Sequence, residues 1–151
     1  MEYSIFITKN ILDCLKYYFD VDPFLMQAAF AIAEINERPE CVTILLSEFT
    51  TLNETDYESQ SHNFISFYSK SLLNILHKTS YQNKHSLIYI HSHNLFDYHN
   101  FENDDQKMIF RISYAYIPFG IHVSLFYTHG ELSGKVWLPT LTTEPLNIIH
   151  E

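Results

Sequence analysis

The sequence predicts a mixed α/β domain in which a central mixed β-sheet is flanked by helices. Short apolar runs rich in β-branched and aromatic residues alternate with segments that have helical spacing. The chain has 151 residues, the usual size of one domain, so residues 1–151 are treated as a single domain. Aromatic residues make up 16% of the chain, which predicts a ring-rich core.

The first half of the chain predicts two strands and two helices. Residues 3–7 form a β-branched and aromatic run, and Thr8 is a plausible N-cap for a helix that follows directly. A second helix is predicted after Asp22 as N-cap and Pro23 at its first position, because Leu25, Ala28, Ala29 and Ile32 have helical spacing. Residues 40–46 then form a short apolar run that favours a buried strand.

The second half repeats this alternation. A polar, acidic stretch after Ser47 predicts a loop with a weak strand, and residues 63–68 predict a further strand. A helix over residues 69–80, a buried strand over 86–92 and a helix from Asp104 to Tyr116 follow. The last part predicts a hairpin that turns near Gly130.

Charge and cysteine content narrow the classes of function. The net charge of −9 gives the chain no electrostatic reason to bind nucleic acid or an anionic membrane, and it suits a partner with a basic face. Cys14 and Cys41 form no CxxC pair, so a disulfide framework is not expected and a reducing compartment is. No apolar stretch reaches about 18 residues, so we expect a cytoplasmic location without a membrane span.

The strongest chemical signal is a histidine pair at the end of the predicted strand 86–92. His91 and His93 are two residues apart, so both side chains point to the same side of a strand. Asp104 follows His93 after ten residues, at the start of a predicted helix. Two imidazoles and one carboxylate are a ligand set that zinc accepts while keeping a fourth position open. The alternative is that the histidines only end a strand and that Asp104 is a helix N-cap.

A zinc hydrolase also needs a proton acceptor beside the metal-bound water. The first candidate is Glu40, which precedes the apolar run 41–46, and Glu48 at the far end of that run is the weaker one. The alternative for Glu40 is a solvated loop residue.

The order of glutamate, strand, helix, strand, His-x-His, ten residues and Asp resembles the JAMM (MPN+) metalloprotease family. The sequence HSH at 91–93 and Asp104 fall at the family's spacing, PECVTILLS looks like its glutamate segment, and SLFYTHGELSGKVWLP looks like the terminal hairpin of bacterial members. The resemblance implies a cytidine-deaminase-like MPN fold, zinc bound by His91, His93 and Asp104, and Glu40 as the general base. It also implies cleavage at the C-terminus of a ubiquitin-like protein or its conjugate, with activating or conjugating enzymes of the same pathway as further partners.

Several positions depart from the family pattern. Phe101 stands where the family has a serine that stabilises the oxyanion, Asn94 replaces a proline, and Thr43 and Ser47 replace glycines. Substitute donors could come from three polar residues, Asn100, Asn103 and Ser92. A shift of one residue would make Asp105 the ligand and put Glu102 at the serine place.

Two further functions stay open beside the zinc protease. One is a binding protein of the same fold that has lost catalysis, which Phe101 favours. The other is a purely structural zinc site, for which His99 is the nearest fourth ligand. Cys41 is expected to be a small buried hydrophobe rather than a nucleophile, and His122 a core histidine with hydrogen-bond partners.

Overall fold

The computed structural model of the protein describes residues 1–61, 65–77, 84–92, 103–128 and 130–150, and for residues 103–105 it describes the backbone only. The described strands are β1 (Glu2–Ile7), β2 (Ala28–Glu37), β3 (Cys41–Leu46), β4 (Thr50–Thr51), β5 (Tyr57–Gln60), β6 (Ile65–Phe67), β7 (His85–Ser92), β8 (His122–Thr128), β9 (Glu131–Trp137), β10 (Thr143–Pro145) and β11 (Asn147–His150). The described α-helices are α1 (Lys9–Asp20), α2 (Ser69–Leu76) and α3 (Asn103–Tyr116), and Glu54–Asp56 form a short 3-10 helix.

One large mixed sheet organises the chain. Its strands follow the order β10-β9-β8-β7-β2-β3-β1-β11, and β4 pairs with β2 beside this path. Strands β7 and β8 are parallel, whereas β2 is antiparallel to both β7 and β3. The two strands at the ends of the path, β10 and β11, are separated in sequence only by Leu146, so the sheet is nearly closed. Strands β5 and β6 form a separate antiparallel pair.

The two faces of the sheet bury two clusters. The inner core surrounds α1, whose Leu15 and Phe19 are buried among residues of β1, β2, β3, β7 and β8. The outer core lies under α2 and α3, which contribute Leu72, Leu76 and Phe110 against the opposite face of β2 and β7. Apolar burial on both faces explains why these strands read as continuous apolar runs.

The first helix begins as predicted. The Thr8 hydroxyl accepts a hydrogen bond from the backbone N–H of Ile11 at 3.4 Å, which satisfies one N–H of the first turn. The predicted strands at 3–7, 40–46 and 86–92, the helices that begin at Ser69 and near Asp104, and the hairpin with Gly130 at its turn are confirmed within one or two residues at their starts. Gly130 has φ of +80°, the left-handed conformation that glycine adopts readily.

The prediction of a helix over residues 23–36 is wrong, because most of this segment is strand β2. Residues 22–25 form a turn in which the Asp22 carbonyl accepts from the Leu25 N–H. Residues 28–31 are all buried, since β2 has β7 on one side and the two cores on its two faces. Alanines at 29, 31 and 33 belong to the inner core around α1, so their helix propensity is overridden by packing.

None of the described helices is long and apolar enough to span a membrane.

Candidate functional site

His91 lies at the carboxyl end of β7, where the sequence predicted it. It is directly opposite Ala28 of β2 on one side and Phe126 of β8 on the other. The imidazole is buried and stacks on two rings, Tyr89 at a centroid distance of 5.1 Å and Phe126 at 6.0 Å. His91 therefore occupies a fixed place within the outer core, at the end where β7 leaves the sheet.

Ser92 fastens this end of β7 to the start of β2. Its backbone N–H donates to the Gln27 carbonyl at 2.9 Å, and its Oγ accepts from the Gln27 N–H at 2.9 Å. Because neighbouring residues of a strand point to opposite faces, Ser92 points away from the face that His91 occupies. Its hydroxyl is thus used in holding two strands together, and it is not placed as a substitute oxyanion donor beside His91.

The other two predicted zinc ligands fall on residues that the structure does not describe, either wholly or in their side chains. His93 lies outside the described residues, and so do the side chains of Asp104 and Asp105, as well as Phe101, Glu102 and His99. The backbone of Asp104 lies in the first turn of α3, as expected. Within the described part of the chain, no group of three His, Cys, Asp or Glu side chains could hold a metal ion.

Glu40 is not brought to His91. It is exposed and lies in the turn between β2 and β3, next to the end of β2 that carries Glu37. Ala28, opposite His91, is at the other end of this 10-residue strand, so at about 3.3 Å per residue the two ends are about 30 Å apart. The strand beside β7 is β2 and not the strand that follows Glu40. The role of Glu40 as general base therefore stays a prediction, and its place in the fold does not favour it.

Glu48 is closer to the His91 end of the sheet. It follows β3 and precedes β4, whose Thr51 pairs with Ala29. Its side chain is exposed, and Glu48 lies on the side of β2 that is away from β7.

The groups around Ala28, the residue opposite His91 on β2, are neutral. Ala28 presents only a methyl group, and its backbone N–H donates to the Tyr57 hydroxyl at 2.8 Å. The Ala28 carbonyl accepts from the Tyr18 hydroxyl at 3.0 Å. Burial raises the pKa of both tyrosines above the usual range, so both stay protonated at neutral pH. Neither residue offers a proton acceptor of the kind that a carboxylate would provide.

Gln106 is a buried polar residue that the sequence analysis did not single out. It is only 2% exposed, and its Oε1 has no hydrogen-bond partner among the described residues. The signal that could have found it is spacing, because Gln106 falls three and four residues before Ile109 and Phe110, which lie on the apolar face of α3. A buried amide oxygen without a donor calls for a physical reason.

His122 is a core residue, as predicted. Its Nδ1 accepts from the Leu87 backbone N–H at 2.9 Å, and its Nε2 donates to the Ile117 carbonyl at 3.1 Å. Burial lowers the pKa of His122 to about 4. Both ring nitrogens are thus used by the backbone, and the residue has no capacity left for a metal. Cys41 is half-buried at the start of β3, as a free thiol.

Comparison with known proteins gives a fold relationship only. No family model matches the chain, and no curated protein matches it. The solution structure of protein DSY2949 from Desulfitobacterium hafniense is similar with a TM-score of 0.54 at 13% identity, over 97% of this chain and 94% of that one. At this identity the likeness shows a shared fold over nearly the whole length of both chains.

Proposed function

We propose that the protein is a zinc-binding module that recognises the C-terminal tail of a ubiquitin-like modifier and holds it without cleaving it. The ligands would be His91, His93 and Asp104. His91 is buried at the end of β7, and α3, which carries Asp104, begins twelve residues after His91, at Asn103. The Oε1 of Gln106 on α3, which has no hydrogen-bond partner in the part of the chain that the structure describes, also fits a site in this region that is completed by a bound group.

The observation that favours binding over hydrolysis is the place of Glu40. A general base must lie within hydrogen-bond reach of the proton that it takes, directly or through one water. Glu40 lies in the turn after Glu37, and Ala28, the residue opposite His91, is at the other end of β2, about 30 Å from Glu37 along the strand. The position that faces His91 from β2 is occupied by a methyl group instead of a carboxylate.

The second candidate is a zinc-dependent (iso)peptidase that acts on the same modifier or its conjugate. The spacing of His91, His93 and Asp104 favours it, since three protein ligands with an open position are typical of catalytic zinc. Zinc in this site would supply a Lewis acid for the scissile carbonyl. This candidate requires a proton acceptor other than Glu40.

Partners of this protein would carry basic groups near the modifier tail, because the chain has a net charge of −9. Activating or conjugating enzymes of the same pathway are the further partners that we propose. We propose a cytoplasmic location, and we expect neither nucleic acid nor a membrane as a ligand.

The first experiment measures zinc content and turnover together. Wild type and the variant His93→Ala are purified identically, analysed for zinc, and incubated with ubiquitin that carries a fluorogenic amide at its C-terminus, with and without chelator. Binding of unmodified ubiquitin is measured by calorimetry on the same samples. We expect about one equivalent of zinc in wild type only, zinc-dependent binding, and no turnover.

Other results would decide between the candidates. Turnover that disappears with chelator would replace the binding module by the peptidase. Wild type without zinc, even after zinc is added back, would sink both. Zinc without any binding or cleavage of ubiquitin would remove the modifier from the proposal and leave only the metal site.

A further inference from the structure

Gln106 lies on the side of α3 that faces the sheet. The buried residues of this helix recur at three- and four-residue intervals, at Gln106, Ile109, Phe110 and Ser113. Ile109 and Phe110 belong to the outer core, and the Phe110 ring stacks on Trp137 of β9 at 5.1 Å. The Gln106 amide is therefore buried under the first turns of α3, against the outer face of the sheet.

The register of α3 over the sheet brings Gln106 to the level of His91. Since α3 connects the end of β7 to the start of the parallel strand β8, it runs antiparallel to both. The Tyr114 ring lies over His122 at the start of β8, at 4.3 Å. Gln106 precedes Tyr114 by eight residues, which is a distance of about 12 Å along the helix axis. A strand covers the same distance in between three and four residues. The same distance counted along β8 from His122 reaches the level of Phe126, which is the residue paired with His91.

His91 faces the same side of the sheet as Gln106. Leu87 and Tyr89 lie four and two residues before His91 on β7, so their side chains share its face of the sheet. Both belong to the outer core, as do Ile109 and Phe110 of α3. The side chains of His91 and Gln106 are both at least 98% buried, at 1% and 2% exposure. A neutral hydrogen-bond acceptor is thus held at the level of an imidazole, on the face that the imidazole occupies.

We propose that Gln106 is a positioning residue for the metal site: in the zinc-bound protein its Oε1 accepts a hydrogen bond from the ring N–H of His91, which leaves the other ring nitrogen for zinc. The inference rests on the proposed function, because it assigns a role toward the same metal. A histidine that binds a metal commonly donates its second N–H to a carbonyl or carboxylate oxygen, which fixes the tautomer and the ring orientation. An amide oxygen performs this task without adding a charge to the buried site.

The test compares zinc affinity with stability in three variants. Gln106→Leu removes the acceptor at similar volume, and Gln106→Glu keeps an acceptor oxygen. Ser113→Ala is the matched control, because Ser113 is buried on the same face of α3 and its hydroxyl donates to the Ile109 carbonyl at 2.7 Å. Zinc affinity is measured by competition with a chromophoric chelator, and the unfolding midpoint of the zinc-free protein is measured by circular dichroism.

For Gln106→Leu we expect zinc affinity to fall by about 10- to 100-fold. The zinc-free stability of this variant should stay equal or rise, since a buried oxygen without a partner is removed. Gln106→Glu should keep the affinity near that of wild type, and Ser113→Ala should leave it unchanged. The cobalt-substituted wild type should also show an absorption spectrum that Gln106→Leu alters, which reports the ligand field directly.

Zinc binding by Gln106→Leu at wild-type affinity would overturn the positioning role while leaving the proposed function intact. An equal loss of affinity in Gln106→Leu and Ser113→Ala would also overturn it, because the effect would then come from general disturbance of α3. A wild type that binds no zinc would fail the proposed function itself, and the role of Gln106 with it. If Gln106→Leu does not fold, Gln106→Met takes its place under the same criteria.

Discussion

The two ends of the outer face of the sheet differ in how their polar groups are used. At the end where β8 begins, His122 bonds to two backbone groups, the Trp137 indole donates to the Ser124 hydroxyl at 3.1 Å, and the Tyr114 hydroxyl donates to the Trp137 carbonyl. At the other end, His91 is packed between two aromatic rings, and the Gln106 Oε1 lacks a donor in the described part of the chain.

Under the proposed function, the difference separates a structural end from a ligand-binding end. Fully bonded polar groups in a low-dielectric interior specify one arrangement of the core, while a buried oxygen without a donor costs stability. Proteins accept such a cost where another role compensates for it. Changes at the His122 end should therefore alter stability, and changes to outer-face residues at the His91 end should alter ligand binding.

The largest effect is expected for Phe110→Ala, near the structural end. Phe110 is fully buried and its ring stacks on Trp137, so its truncation should cost about 3–5 kcal/mol of unfolding free energy. Urea unfolding followed by circular dichroism measures this loss. Met108→Ala on the same helix is the control, because Met108 is 60% exposed and should change stability by at most about 0.5 kcal/mol. A loss below about 1 kcal/mol for Phe110→Ala would contradict the packing described.

Acid should weaken the structural end through His122. Its pKa is lowered to about 4 in the folded protein and is about 6.5 in the unfolded chain, so the unfolded state takes up the proton first as the pH falls. The stability that neutral His122 provides is complete above about pH 6.5 and is lost as the pH falls toward 4, by about 3 kcal/mol in total. Urea unfolding at pH 7, 5.5 and 4.5 measures it, and His122→Asn should remove this part of the pH dependence. An unchanged pH dependence in the variant would show that other groups cause it.

A smaller effect is expected for Tyr127→Phe, which removes a side-chain hydrogen bond between β8 and α1 near the His91 end of the sheet. The Tyr127 hydroxyl donates to the Asp20 carboxylate, at 2.8 and 2.9 Å from its two oxygens, and Tyr127 is in register with Ser92. Removing the hydroxyl in Tyr127→Phe should cost about 1 kcal/mol. Thermal unfolding detects this change, with Tyr17→Phe as control because Tyr17 is 78% exposed. Equal midpoints for the two variants would mean that the bond contributes nothing in solution.

The smallest effect is expected for Glu40→Gln. Glu40 is exposed in the turn between β2 and β3, so the change should alter stability by at most about 0.5 kcal/mol. Zinc content and affinity should be those of wild type, because this turn is at the opposite end of β2 from Ala28 and His91. Elemental analysis and chelator competition check both values. A measurable drop in zinc affinity or in any turnover would return Glu40 to the site.

The sequence predicted most elements because their patterns are local. The β-branched runs of β1, β3 and β7, the Thr8 cap of α1 and the glycine at the β8–β9 turn each determine structure within a few residues. The pattern does not predict strand β2 because four of its ten residues are alanines, which favour a helix in isolation. What makes this segment a strand is its neighbours β3, β4 and β7, which no local pattern reveals.

The error in β2 bears on the site. The segment whose pattern predicts a helix forms the strand that lies beside β7, and the strand at 41–46 pairs with β2 instead. The position of His91 at a strand end was predictable from its own segment. The residue opposite that position, Ala28, follows from strand order, and the level of Gln106 follows from the placement of the crossover helix α3. Both are long-range properties.

The near closure of the sheet at Leu146 has a consequence for the order of folding. Strand β1 pairs with β3 on one side and with β11 on the other, in parallel register with residues 147–150. One flank of β1 thus depends on a segment about 140 residues further along the chain, which raises the mean sequence separation of contacts and slows folding. During synthesis, β1 and α1 leave the ribosome long before β11 exists, so that flank stays open to other chains until β11 docks.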